Sequence, residues 1–501
     1  MADTKKYLIG IDIGTTSLKA AIFDTDGVTV STATVDYTLD AKGNTTEFDA
    51  DEYISIVRRG LTEAAEKAFP GEGAGALSAK IAGISVDTQG ETLIVTDENY
   101  APLRPAIVWL DNRATAEAGQ IERQFGRQRV YEVTAQPEIT ATWPACKLLW
   151  IKHNEPEIWE RTKHVFLLED WILWALTGEF VTEPSIQSST IYFDISGKCW
   201  WDEMLGFIGV TEEMLPRAVP SGTPVGRASA DWLCGGGNAG DGCADGIAVV
   251  SGALDQIAGA IGAGVVGQGI VSEMTGTTMT VFAPCSGIPD YDEGSIVPCH
   301  LSYDGSYALL SWTPTAGIAL KWFKNKLCER YTFAQLDRLA EKVPYGSDGL
   351  VFLPYLCGST MPKYDPDARG AFFGLTMEHS RGHMVRAILE SVACMLRGNL
   401  EYLGVNCTEI RTMGGGALSP LWCRIKADIT GMKLVTLKNT ETACLGTAIL
   451  AGVGVGIYDS VEAACAELIA PDKVYEPHPS EQSDAAYRAY CETDDRLYPR
   501  T

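Results

Sequence analysis

The chain has 501 residues and carries 40 Lys and Arg against 65 Asp and Glu, a formal charge of −25. Its 46% hydrophobic and 21% charged residues mark a globular chain rather than a disordered or fibrous one, and at roughly 150 residues per domain the length predicts two to four domains. The acid excess is spread without long runs of one sign, which argues against nucleic acid or an anionic membrane as partner, since both require a positive footprint.

The polar start at 1–6 lacks the charged-then-apolar pattern of a secretory leader. No stretch offers the ~20 clean apolar residues of a membrane span; the nearest, 445–457, is short and rich in Gly. The 14 Cys form no CxxC pair, which predicts reduced, mostly buried thiols in a cytoplasmic protein. The first apolar run, Tyr7–Ile13, predicts a strand carrying Asp12, followed by the turn Gly14-Thr15-Thr16-Ser17 and a second strand at 18–23 that includes Lys19. An Asp within an apolar strand is costly unless paired, and a metal ion or metal-bound water at the strand end would pair it. The turn offers backbone N–H groups and hydroxyls suited to phosphate; the alternative is a plain hairpin with an exposed Asp.

A helix is predicted at 51–69, then strands at 81–86 and 92–96. Between the strands lies Asp87-Thr88-Gln89-Gly90-Glu91-Thr92, and downstream comes Trp109-Leu110-Asp111-Asn112-Arg113. Carboxylates, amides and a Trp face suit a neutral polyhydroxylated ligand, unless the two segments are surface turns. Helical patterns follow at 115–125, 145–153 and 166–177. In Gly252-Ala-Leu-Asp255-Gln256 a carboxylate sits among small apolar residues, placed to take a proton from a hydroxyl or to cap a helix. Gly276-Thr277-Thr278, between strands at 270–274 and 279–282, repeats the first motif, and the repeat predicts two domains of similar build with a boundary near 260, in the glycine-rich run 252–269.

Helices are predicted at 333–341 and 383–402. Gly414, Gly415, Gly416 and Ala417 lead to Ser419 as N-cap and Pro420 as first helical residue, with Leu421, Trp422, Ile425 and Ile429 as the apolar face and Gly431 as the stop. Bare glycine backbone beside a helix N-terminus suits a nucleotide, or is only a tight turn. A polar helical tail is expected from about Val461. The GxGxxG pattern at 262–267 lacks a framing strand and acidic partner, and His379 and His383 lack a further metal ligand. The mixture reads as α/β with mixed sheets.

Taken together these motifs resemble the FGGY family of carbohydrate kinases, over about 7–456. Gly370-Ala-Phe-Phe-Gly374-Leu375 followed by His383-Met-Val-Arg-Ala387-Ile-Leu-Glu390 resembles the family's C-terminal signature, and Pro144-Ala-Cys-Lys147-Leu-Leu-Trp150 its N-terminal one. The resemblance implies two ribonuclease-H-like domains, as in actin, hexokinase and Hsp70-like ATPases, each a mixed sheet flanked by helices, with the active-site cleft between them. They would span 1–260 (sugar pocket, first phosphate loop, catalytic Asp) and 261–460 (second phosphate loop, adenosine site), with a helical tail at 461–501. ATP and Mg²⁺ are the implied cofactors.

Residue by residue, the resemblance implies Asp255 as general base and Asp12 beside Mg²⁺ and the phosphates. Gly14, Thr15, Thr16, Ser17 and Lys19 would form the first phosphate loop, and Gly276, Thr277 and Thr278 the second. Gly317 and Lys321 would meet the nucleotide, although Lys321 stands where the family often has Gln. Gly415, Gly416, Ala417 and Ser419 would meet the adenosine end. Gln89, Gly90, Glu91, Trp109, Asp255 and Gln256 would line the sugar pocket.

The expected activity is transfer of the γ-phosphoryl of ATP to a hydroxyl of a small sugar or polyol. Thr88-Gln-Gly-Glu-Thr92 keeps the Gln, Glu and Thr of the glycerol-type pattern Asn-Gln-Arg-Glu-Thr but lacks its Arg, and lacks the Met-His of the xylulose type. The segments 109–113 and 147–150 are closer to xylulokinase-like members and favour a ketopentose such as xylulose. Gly90 is expected to leave room for a ligand larger than glycerol. A glycerol- or erythritol-type polyol kinase stays open, as do, from a different class, a non-catalytic ATP-dependent sugar sensor and an Hsp70-like switch. The partner expected is a small-molecule sugar or polyol, with no nucleic acid and no membrane, and a homodimer as the assembly to consider.

Overall fold

The computed structural model describes residues 5–292, 297–361 and 363–499; the first four residues of the polar start lie outside them. The chain forms two compact units. The first comprises residues up to Val266, Ser286–Ala308 and Glu441–Ile469; the second comprises Gly267–Cys285, Leu309–Thr440 and residues from Ala470 on.

In the first unit, β1 (Tyr7–Ile13), β2 (Ser17–Asp24), β3 (Thr29–Asp36), β4 (Ile81–Thr88), β5 (Pro224–Ala228) and β6 (Ile247–Val250) form one sheet in the order β5-β6-β4-β1-β2-β3. β1 runs parallel to β4, and β4 to β6; the pairs β1–β2, β2–β3 and β5–β6 are antiparallel. Alternate residues of β1 serve opposite faces. Ile9, Ile11 and Ile13 enter the core with Tyr53, Ile54, Val57 and Leu61 of α1 (Ala50–Ala68).

Leu8, Gly10 and Asp12 turn to the other face, which is covered by α2 (Asp255–Gly262) and, from much later in the chain, α5 (Thr442–Gly454). A Cβ at Gly10 would lie 1.8 Å from the Cys444 carbonyl oxygen, so only glycine lets α5 approach β1 this closely. Gly262 and Gly446 do the same where α2 and α5 cross: a Cβ there would meet the carbonyl oxygen of Thr442 at 1.8 Å or of Ala258 at 1.9 Å. The glycine-rich run expected to separate two domains near 260 is therefore partly a helix-packing surface. The first unit runs on to Val266 and takes in two later segments.

In the second unit, β7 (Ile270–Thr275), β8 (Met279–Cys285), β9 (Tyr307–Thr313), β10 (Glu409–Met413), β11 (Lys433–Leu437) and β12 (Pro471–Tyr475) follow the order β9-β8-β7-β10-β11-β12. β7–β10 and β10–β11 are parallel; β7–β8 and β11–β12 are antiparallel. This is the arrangement of the first sheet, so the two Gly-Thr-Thr motifs occupy the same hairpin of a repeated fold. α3 (Gly317–Leu327) and α4 (Pro420–Thr430) belong to this unit.

Two local expectations are corrected. The 166–177 pattern is a strand, His164–Leu167, and then a helix, Leu168–Thr177, begun where the Asp170 carboxylate accepts the Leu167 N–H at 2.8 Å. The tail is not continuously helical: β12 interrupts it between helices Val461–Leu468 and Glu481–Leu497. β12 is mostly exposed and carries two charges, and pairing with β11 makes it a strand. Among the described residues no helix is long and apolar enough to cross a membrane.

Candidate active site

The parallel alignment of β1 and β4 sets Asp12 opposite Asp87 and Ile13 opposite Thr88. Thr88 in turn bridges Leu254, which brings Asp255, the first residue of α2, to the same edge. Ligands of such sheets bind beyond the carboxyl ends of the strands. Asp87 is fully buried, and burial followed by the charges of Asp12 and Asp255 holds its carboxyl well above the ordinary range. Asp12 and Asp255 keep part of their surface exposed but are crowded by protein. Burial and then Asp12 raise Asp255 strongly. Burial also raises Asp12, against the pull of Lys19, its cross-strand neighbour. Lys19 is tethered to Glu441 at 2.7 Å. Asp255 does not act as N-cap; its Oδ1 accepts the Gln256 N–H at 2.7 Å.

The turn between β1 and β2 is closed by Gly14 N–H donating to the Ser17 carbonyl at 3.1 Å, so that donor is engaged within the turn. Tyr37 fixes the turn from outside: its hydroxyl donates to the Gly14 carbonyl and its N–H to the Thr16 carbonyl at 3.0 Å. Trp109 Nε1 donates to Thr15 Oγ1 at 3.0 Å, which links the predicted sugar face to the predicted phosphate turn.

Glu91 lies beside Asp255, whose carboxyl its charge helps to raise. It holds a φ of 55°, the left-handed region that residues with a Cβ rarely adopt. Buried Lys147 holds it there, donating to the carbonyls of Glu91 at 2.8 Å and Val108 at 3.0 Å. Burial pushes Lys147 down to about 7, against the raising effect of Glu91. Gly90 does not open the space expected of it. A Cβ there would meet Leu254 at 3.1 Å and Ser189 at 3.5 Å, so protein side chains already fill the place. Gln89 is buried and donates to the Tyr53 hydroxyl at 3.3 Å, while the Gln256 side-chain oxygen is buried without a partner.

Sequence reasoning missed Ser189 and His300. Ser189 lies beside Glu91, whose carboxyl it draws down against the raising effect of burial, and its Oγ hydrogen-bonds to His300 Nε2 at 3.0 Å. Burial holds His300 down at about 4, hence neutral. They lie 111 positions apart, and no local signal joins them.

In the second unit the matching turn is closed by Gly276 N–H to the Thr278 carbonyl at 3.0 Å. The Thr277 carbonyl accepts the N–H groups of Ala316 and Ile318, each at 3.1 Å, fastening the start of α3 to the turn. A Cβ at Gly317 would lie 2.2 Å from the Gly276 carbonyl oxygen. Lys321, one helical turn along α3, is exposed. Gly414 has a φ of 75°, and a Cβ there would lie 2.8 Å from the Thr275 carbonyl oxygen. Ala417 N–H donates back to the Gly414 carbonyl at 3.2 Å. Ser419 caps α4, its Oγ accepting the Trp422 N–H at 3.1 Å and donating to Asp337 at 2.8 Å. Among the described residues no group of three or more His, Cys, Asp or Glu is arranged as a metal cage.

The sequence matches the FGGY family of carbohydrate kinases, with the N-terminal domain over residues 7–262 and the C-terminal domain over 275–455. It is 29% identical to a xylulose kinase of Lactococcus lactis over 464 residues, covering 91% of this chain and 89% of that protein. It is 30% identical to a gluconokinase of Bacillus subtilis over 497 residues, covering 96% and 93%. The fold is similar to that of a ligand-bound xylulose kinase from Lactobacillus acidophilus, with a TM-score of 0.87, 26% identity and 98% of each chain covered.

Proposed function

The chain belongs to the FGGY family of carbohydrate kinases, phosphotransferases that use ATP and an alcohol acceptor, and on that premise we propose that its acceptor is an uncharged ketopentose such as xylulose. One observation carries the choice of a neutral sugar over an acid such as gluconate. Asp12, Asp87, Glu91 and Asp255 gather at one sheet edge, while the neighbouring cations are engaged. Lys147 holds backbone carbonyls, Lys19 holds Glu441, and Arg113 holds Asp111 and Glu47, each at 2.7 Å. A sugar carboxylate would meet like charge there, whereas hydroxyl groups find acceptors.

Asp255 would take the proton of the attacking hydroxyl; its raised carboxyl makes it a stronger base than an ordinary aspartate. Glu91, fixed by Lys147 and Ser189, would orient the sugar. In the second unit the turn at 276–278 and the 414–419 segment would hold the nucleotide through backbone and hydroxyl groups, and the first unit's turn at 14–17 offers phosphate the same kinds of group. Asp12, with Asp87 beside it, suits Mg²⁺, which takes one or two carboxylates together with phosphate oxygens rather than a closed protein cage. Bound there, Mg²⁺ would supply charge neutralisation on the phosphates. Half of the 14 cysteines are buried, which supports a reducing, cytoplasmic setting.

A second reading, a short polyol as acceptor, draws on Gln89, Glu91 and Thr92. ADP release coupled to a colour reaction, measured on ketopentoses, polyols and gluconate, separates these readings. The expected order is ketopentose first and gluconate last; gluconate as the best acceptor would overturn the neutral-sugar reading.

A further inference from the structure

We propose that the buried ion pair Glu273–Lys426 is the positioning device for the glycine turns of the second unit and acts through Thr275. The proposal rests on the reading of those turns as the nucleotide side. Both side chains are 0% exposed. Lys426 Nζ reaches Glu273 Oε1 at 3.0 Å, Glu273 Oε2 at 2.9 Å and Thr275 Oγ1 at 2.8 Å, so its three protons are engaged and it has none for a phosphate. The Thr275 and Thr412 hydroxyls both donate to the Glu273 carboxylate.

Thr275 is where the turns meet. It directly precedes Gly276. A Cβ at Gly416 would lie 2.8 Å from the Thr275 Cβ and 3.3 Å from Lys426 Nζ, and one at Gly317 would lie 3.6 Å from Thr275 Cγ2. With Gly414 against the Thr275 carbonyl, the phosphate turn, the start of α3 and the 414–416 turn all rest on this one residue. The ion pair and Thr412 fix its hydroxyl in direction. Apolar packing could fill the same volume but would not aim Thr275, and buried pairs seldom improve on apolar packing for stability.

The test uses the full chain with both charges removed at similar volume, Glu273→Met with Lys426→Met, alongside Thr275→Val, which keeps shape and loses only the hydroxyl. Thermal melting reports the fold, calorimetry reports ATP affinity, and steady-state kinetics report KM for ATP and for the sugar separately. The expected result is a folded double variant with KM for ATP raised on the order of 10- to 100-fold, an unchanged KM for the sugar, and a smaller shift in the same direction for Thr275→Val. A folded double variant that binds ATP as tightly as the wild type overturns the proposal. If the double variant does not fold, unchanged ATP affinity in Thr275→Val overturns it. A wild-type chain that binds no ATP overturns instead the reading of this unit as the nucleotide side.

Discussion

At one register of a repeated sheet, the first unit sets Asp12 opposite Asp87, and the second sets Met274 opposite Met413. One residue earlier, on the opposite face, the first unit pairs Ile11 with Val86, while the second pairs Glu273 with Thr412. The two units thus place their ionisable groups on opposite faces of the same architecture. In the first the carboxylates stand at the sheet edge, Asp12 and Asp255 partly open and Asp87 buried; burial raises all three, and the charge of Asp12 raises the other two further. In the second the carboxylate lies under the turns, bound to a lysine. A charge at the open edge can meet a ligand or a proton, and a charge beneath it can only hold structure. The shared fold leaves this division to a one-residue difference in where the acid stands along the strand.

The comparison breaks most sharply at Asp255. Asp255→Asn is expected to keep ATP affinity and lose roughly 10²- to 10⁴-fold in turnover; unchanged turnover in a steady-state assay would remove Asp255 as base. His300 tests whether burial in the first unit holds a titratable group neutral. Its folded value of about 4 lies below the usual 6.5. Between these values the unfolded chain binds more protons. The stability contribution is therefore fully present above pH 6.5 and lost as pH falls towards 4, by on the order of 3 kcal/mol. Urea melts of the wild type and His300→Gln across that window should differ in slope, and equal slopes would refute it. The finest probe exchanges the edge residues themselves. Asp12→Leu should cost on the order of 10²-fold in kcat/KM and weaken the Mg²⁺ dependence of ATP affinity. Met274→Leu should cost less than about 1.5 kcal/mol of stability and leave that dependence intact. Equal kinetic losses in both variants would erase the distinction between the two edges.

Much of the site was legible because its signals are local. Asp12 sits within an apolar run that ends in Gly-Thr-Thr, and the second Gly-Thr-Thr occupies the same hairpin of the second sheet. Ser419 and Pro420 begin their helix as expected, since a cap needs only its own chain neighbours. Lys426 carries a readable signal, a lone lysine four residues from Trp422 on an apolar helix face, where charge needs a buried partner. β12 was not legible, because its strand state comes from β11 rather than from its own exposed residues.

The sequence by itself determined which groups are available: the acids at strand ends, the glycines in the turns, and a net charge of −25. Only the tertiary structure decided which of them meet. Parallel register set Asp87 against Asp12 and Asp255, the side chains of Leu254 and Ser189 closed the place that Gly90 seemed to leave open, and burial held His300 neutral beside a serine 111 positions away. The physical reason is that protonation and reach depend on distance and desolvation, and these are fixed only when segments remote in the chain pack together.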